Sequence, residues 1–192
     1  MGIFGAWNLW TKTRNLVPVD IPVSLTAGQI IASEFTLNFD GLYLIEVQAE
    51  KTIPLDTLHC LMGEEADPAL CKDVTPAIAA TWVLSSPGQE IKRGNSSELH
   101  SAAVQSDGVA RVIGEFQGQA GQDYTVQVTF TADGGNLAAA HPRLKVGVAS
   151  IAYTDFQSAS VLVFSMAFIC ALFGAILLAI AYYVKKRVRR VT

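Results

Sequence analysis

Four residue types capable of chemistry crowd into one stretch, HCLMGEEADPALCKD, residues 59–73. Histidine, cysteine and two kinds of carboxylate permit three different bonds there. A soft metal would take His59, Cys60 and Cys71, but a tetrahedral site needs a fourth ligand, and none stands at a recognisable spacing. A hard cation such as Ca²⁺ would take oxygens from Glu64, Glu65, Asp67 and Asp73. That group lacks the alternating ligands and the turn glycine of a calcium loop, and reads as a solvated acidic loop. The third bond is a disulfide between Cys60 and Cys71, which are separated by ten residues. In an oxidising compartment it would stabilise the fold by about 2–3 kcal/mol, chiefly by restricting the unfolded chain. The disulfide is the expectation, with no metal and no cofactor.

Catalytic constellations are sparse. His59, His100 and His141 lie in three separate turn-like segments, none with a partner at helical or metal-site spacing. Serine-histidine-carboxylate groups converge in space and leave no fixed spacing, so an envelope hydrolase with a loop-borne site stays open as an alternative. No nucleophile elbow, phosphate loop, zinc helix or dinucleotide fingerprint is present, and the chain is expected not to be an enzyme. Asn95-Ser96-Ser97 matches a glycosylation acceptor, a pattern short enough to recur by chance. Two long connections, 56–76 and 93–108, are the expected binding surfaces for a ligand the residues do not identify.

The elements that would carry these loops alternate in twos. Val17, Val19, Ile21, Val23 and Leu25 share one face, and Pro18 and Pro22 mark that segment as an edge strand. Phe35, Leu37 and Phe39 alternate with polar residues, as do Tyr43, Ile45, Val47 and Ala49 after Asp40-Gly41, which predicts a hairpin. Further strands follow at Ile78–Leu84, with Trp82 as a core residue, and at 90–94 after the turn SPGQ. VARVIGEF is expected to point Val112 and Phe116 the same way. Tyr124, Val126, Val128 and Phe130, then Leu144, Val146 and Val148, complete the pattern, and Tyr124 resembles a tyrosine corner. The fold expected is mainly β: an antiparallel Ig-like or jelly-roll-type β-sandwich of about seven or eight strands over 17–152, with no useful helical stripe inside it.

The series GLYLIEVQAEKTIPLDTLHCLMG, ATWVLSSPGQ, GEFQGQAGQDYTVQVTFTADGGNL and HPRLKV resembles an uncharacterised bacterial family of membrane-anchored β-sandwich domains. The likeness covers residues 17–148. It implies a fold and a tether, and it transfers no catalytic residue.

The tether is legible in charge. No residue from Gln157 to Val184 is charged, a run of 28, whereas roughly 20 apolar residues in a helix span a bilayer. All 17 acidic residues lie at or before Asp155; residues 1–156 carry nine basic ones against them, a net charge of −8 that argues against nucleic acid. Lys185, Lys186, Arg187, Arg189 and Arg190 follow the run at once, and Tyr182 and Tyr183 sit where an aromatic belt belongs. These flanks predict a linker at 153–159, a single transmembrane helix at 160–184 and a basic cytoplasmic tail at 185–192 in the inner membrane, the sandwich being periplasmic. Along the span Ala167, Ala171, Gly174, Ala175 and Ala179 form a small-residue stripe suited to a partner helix, from a second copy or a complex subunit.

The opening MGIFGAWNLWTKTR fits less neatly. Its apolar part is about ten residues, short for a signal core, with no A-x-A pattern after it, and Ala6 stands where a myristoylation signal wants Ser or Thr. Residues 1–16 are read as the remnant of a signal or anchor helix, or as an interfacial anchor. The expected function is a non-catalytic, single-pass membrane protein serving as a binding or accessory subunit of an envelope complex. The alternative in another compartment is a tail-anchored cytosolic or immunity-type binding domain.

Overall fold

Period-two alternation of apolar residues carries through into strands wherever one face can be buried. A computed structural model describes residues 15–63, 71–72, 74–98, 102–104 and 108–149, together with five helical positions further on, Ser165, Phe168, Ile169, Ala171 and Gly174. The strands are β1 (Val19–Pro22), β2 (Ile30–Thr36), β3 (Gly41–Glu50), β4 (Ala80–Ser86), β5 (Gln89–Asn95), β6 (Ala102–Val104), β7 (Gly108–Gly118), β8 (Asp123–Phe130) and β9 (Arg143–Val148). A helix α1 (Leu55–Met62) follows β3, and a 3-10 helix (Gly135–Ala140) precedes β9.

These strands form two antiparallel sheets, one ordered β1-β9-β3-β7-β6 and the other β2-β8-β4-β5. The architecture is therefore a β-sandwich, with nine strands among the described residues rather than seven or eight. The additional one is the three-residue β6, too short to show alternation. Helix α1 is a second departure from the expectation of no helix in this part of the chain. Its eight residues bury Leu58, Cys60, Leu61 and Met62, and a stripe so short merges into the surrounding apolar pattern.

The predicted hairpin at Asp40-Gly41 does not form. β2 pairs with β8, and β3 pairs with β7 and β9, so the two strands lie in opposite sheets. Alternation states which face a strand buries, not which neighbour it takes. Here the two apolar faces meet across the core instead of lying side by side. Leu37, 1 % exposed, sits in the crossing, and the Asp40 carboxylate accepts the N–H of Ala120 at 2.7 Å. The tight hairpin is instead β4–β5, where Ser86 faces Gln89 across Pro87-Gly88, with Gly88 at φ 76°.

A second correction concerns β7. Its register against β3 jumps between Ile45 and Glu46: Ile45 faces Gly114, while Glu46 faces Val112. The extra residue, Ile113, is a bulge that reverses the alternation. Phe116 opposite Tyr43 and Arg111 opposite Val47 therefore share the inner face, and Val112 turns to the other one.

The core has two halves. Phe35 and Tyr124 from one sheet meet Tyr43 and Phe116 from the other, with ring centroids 5.5 to 6.5 Å apart. Tyr124 fulfils its corner role: its hydroxyl accepts the N–H of Gln119, five residues upstream, at 3.1 Å. In the other half Trp82 is 3 % exposed. A Cβ added to Gly114 of β7 would stand 2.4 Å from its indole, so the missing side chain there is what lets the sheets close.

Of the expected segments beyond the sandwich, residues 1–14 lie outside the described residues, as do the linker, most of 160–184 and the tail with Tyr182, Tyr183 and the five basic residues. Ala171 and Gly174 of the stripe are helical and exposed, while Ala167, Ala175 and Ala179 are not among the described residues. No helix of the described residues is long and apolar enough to cross a membrane.

Two stability measurements check this packing. Gly114→Ala should cost about 1–3 kcal/mol in urea unfolding through overpacking, and much of that cost should vanish in a Trp82→Leu background. Glu46 on β3 faces Lys145 on β9, and partial burial raises its carboxyl above the ordinary 4.5 while Lys145 pulls it back. The folded state thus holds this proton more tightly than the unfolded chain, so stability falls as pH rises from 4.5 through the raised value. Glu46→Gln should be more stable than the parent at pH 7, with the difference fading as pH drops toward 4.5.

Candidate functional site

Strand direction sorts the connections into two ends. The links 37–40, 87–88 and 119–122 are short and lie at one end. At that same end the Val148 N–H donates to the carbonyl of Leu16 at 3.0 Å, so the sandwich begins and finishes there. The described parts of the links 23–29, 51–79, 96–107 and 131–142 gather at the opposite end. They hold α1, the 3-10 helix, β6 and both connections expected to bind.

Helix α1 begins after Pro54, whose fixed φ suits a helix start, and stops at Gly63 in the left-handed region at φ 77°. The Gly63 N–H donates back to Cys60. Leu58, Leu61 and Met62 enter the core between the sheets, so α1 stoppers the open end of the sandwich. Cys60 and Cys71 are bonded to each other, with Cα atoms 5.1 Å apart, which takes both sulfurs away from any metal. The Ala77 N–H donates to Leu61 O at 2.7 Å and fastens the far side of the loop.

Beneath α1 lies the residue that sequence reasoning passed over. Arg111, the lone basic residue in VARVIGEF, is 7 % exposed. Its guanidinium donates to Met62 O at 2.9 Å and to Ser96 O at 3.0 Å, while its buried Nε finds no partner among the described residues. Met62 ends α1, where unsatisfied carbonyls and the helix dipole favour a cation. Burial lowers the guanidinium's pKa from its usual value, but an arginine stays charged there. One side chain thus ties β7, α1 and the 95–98 turn together. The signal available in advance was a single arginine inside an apolar strand, which must find partners if buried.

The Asn95-Ser96-Ser97 motif closes that turn. The Asn95 amide donates to Glu98 at 2.7 Å, its carbonyl accepts the Ser97 N–H at 2.9 Å, and buried Ser96 accepts the Ala80 N–H at 3.0 Å. These bonds give the motif a structural role.

On the other flank of the same end, a depression of about 410 Å³ is lined by Val23, Leu25, Ala138, Pro142, His141 and Ser24 among others. His141 sits at φ 44° between the 3-10 helix and β9, a conformation uncommon for a residue with a side chain. Its Nδ1 lies 2.9 Å from Glu50 Oε2, and the Thr52 hydroxyl donates to Ala139 O at 2.6 Å. Histidine beside carboxylate is two-thirds of a hydrolytic triad. The serine lining the depression, Ser24, donates to Gln29 Oε1 at 2.8 Å instead of toward His141. Of the other histidines, His59 is in α1 and His100 lies outside the described residues, as do Glu64, Glu65, Asp67 and Asp73. Among the described residues no group of three or more His, Cys, Asp or Glu is placed to hold a metal.

No family model matches the chain, and no curated protein matches it. Among solved structures it is similar to the crystal structure of a protein from Sulfurospirillum deleyianum, at 9 % identity and a TM-score of 0.52, over 68 % of this chain and 96 % of that one. At that identity the likeness is one of fold.

Removing the buried cation should loosen the long-loop end. Arg111→Ala strands two carbonyls under α1 and should cost about 2–4 kcal/mol in thermal or urea unfolding. Reduction of Cys60–Cys71 should cost about 2–3 kcal/mol by itself. His141→Ala, at an exposed pair, should shift stability by less than about 1 kcal/mol.

Proposed function

We propose that the chain is a non-catalytic, single-pass membrane protein whose Ig-like or jelly-roll-type sandwich serves as an extracytoplasmic binding subunit. The observation that carries this reading is the separation of ends. Val148, from which residues 150–192 continue, lies at the short-turn end, and the disulfide-closed α1 loop lies at the other. A tether attached at the short-turn end leaves the long loops free for a partner. The uncharged run 157–184 supports that tether, and the five basic residues after it favour a cytoplasmic tail. A formed disulfide favours an oxidising compartment over the cytosolic, tail-anchored alternative. Placement in the inner membrane, and a partner helix along the Ala171 stripe, belong to the same reading.

The hydrolase reading gains one observation, the His141–Glu50 pair beside the depression. Ser24, the serine lining the depression, donates to Gln29 and not to that pair, so binding is the better account.

Topology can be measured on the full chain in sealed spheroplasts. With Cys170 replaced by serine, a membrane-impermeant maleimide should label Cys60 and Cys71 only after an impermeant reductant has been added. Labelling that waits for lysis would reverse the orientation. Solubility of the full chain without detergent would remove the tether altogether.

A further inference from the structure

An exposed sheet edge carries a row of unpaired backbone donors and acceptors, and proteins usually blunt such edges. Three of the four sheet edges here are blunted. β1 ends in Pro22 and follows Pro18. β6 is three residues long. β5 is bulged opposite Leu84/Ser85, carries Glu90, Lys92 and Arg93, and reaches β7 through Lys92 Nζ, which donates to Glu115 O at 2.7 Å. Among the described residues β2 has no bulge and no tie to a strand beyond β8. It is seven residues, IIASEFT, in unbroken register with β8, with no proline and one charge, and Ile30 is 61 % exposed.

The direction of its free groups follows from the ladder. Leu37 N–H donates to Gln122 O, in continuation of the register that sets Thr36 opposite Asp123. Alternation then turns the backbone groups of Phe35, Ser33 and Ile31 toward β8, and those of Thr36, Glu34, Ala32 and Ile30 toward the open side.

We propose that β2 is a self-association edge, pairing antiparallel with β2 of a second copy about a two-fold axis at Ser33. In that register Ala32 faces the second copy's Glu34, and Ile30 its Thr36. All four are residues whose backbone groups point outward, so the hydrogen-bonded pairs fall where donors and acceptors have no partner among the described residues. Ile31 faces the copy's Phe35, which extends the inner apolar face across the junction. Glu34 faces alanine, so no like charges stand opposite each other, whereas a two-fold at Glu34 would oppose two carboxylates. Isologous contacts of this kind are self-complementary and close at two copies. The product is one eight-stranded sheet. The two-fold turns the partner end for end, so the two Val148 residues stand at opposite ends of the joined sheet. This pairing and a shared bilayer exclude each other for tethers that leave near Val148, so the inference stands apart from the membrane reading. The experiment uses detergent, where nothing confines the tethers to one plane.

At the two-fold, Ser33 meets its own copy in a non-hydrogen-bonded pair, with Cα atoms roughly 4.5 Å apart, within disulfide reach. The test takes the full chain in detergent with Cys170→Ser throughout. Under mild oxidation Ser33→Cys should yield a covalent dimer on a non-reducing gel, and Glu34→Cys, which faces Ala32, should not. Ala32→Pro removes an outward N–H that β8 does not use, and should abolish the Ser33→Cys dimer with the circular dichroism spectrum unchanged. Equal cross-linking at positions 33 and 34, none at 33, or a dimer that survives Ala32→Pro in a folded chain would each overturn the proposal. The comparison of the two cysteine variants stands even if the proline variant unfolds.

Discussion

A guanidinium sealed between two backbone carbonyls holds the long-loop end of this sandwich in one piece. Two packed sheets bury their faces well but leave the ends of the sandwich open, and something must close them. Here α1 does so with Leu58, Leu61 and Met62, and Arg111 fastens it from below. The arrangement exchanges full hydration of a cation for two charge-assisted bonds and the negative end of a helix. Because the same side chain reaches Ser96, the helix and the 95–98 turn cannot rearrange independently. The Cys60–Cys71 bond ties α1 to the chain that follows it, so a covalent and an electrostatic restraint act on one helix.

Much of the layered architecture was legible in the chain. The strands at 19–22, 41–50 and 123–130 followed from alternation alone, because burying one face imposes a period of two. By contrast, β2 runs over 30–36 and not through Leu37 and Phe39 as the alternation there suggested. Partner choice was not legible. Asp40-Gly41 looked like a hairpin turn, yet the inner faces of β2 and β3 meet across the core, and alternation is identical in either case. The bulge at Ile113 was equally hidden: one inserted residue moves Val112 to the other face without disturbing composition. Arg111 offered a faint signal, an isolated charge among apolar neighbours, but its carbonyl partners lie 49 and 15 residues away in sequence. The disulfide was the most accessible part of the loop end, since two cysteines in one polar loop have few other fates outside the cytosol.

The two ends of the domain differ in kind. The short-turn end is built from aromatic stacking and tight connections, and it receives both ends of the described sandwich. The long-loop end is built from polar ties: Arg111 to two carbonyls, Asn95 to Glu98, His141 to Glu50, Thr52 to Ala139. Apolar clusters tolerate little change of shape, whereas loops stitched by hydrogen bonds can differ in sequence while the scaffold stays the same. A binding surface on the second kind of end is consistent with that division.

The bond between Leu16 and Val148 also decides how the domain bears load. β1 and β9 are antiparallel neighbours that start and stop side by side, so tension applied between the two chain ends would peel them apart one rung at a time. Tension between the short-turn end and the far loops runs along the strands instead. It would have to shear β9 past β3 and β1 together, with every rung of both ladders resisting at once. A sandwich gripped at its base and pulled by its crown is thus loaded in its stiffest direction.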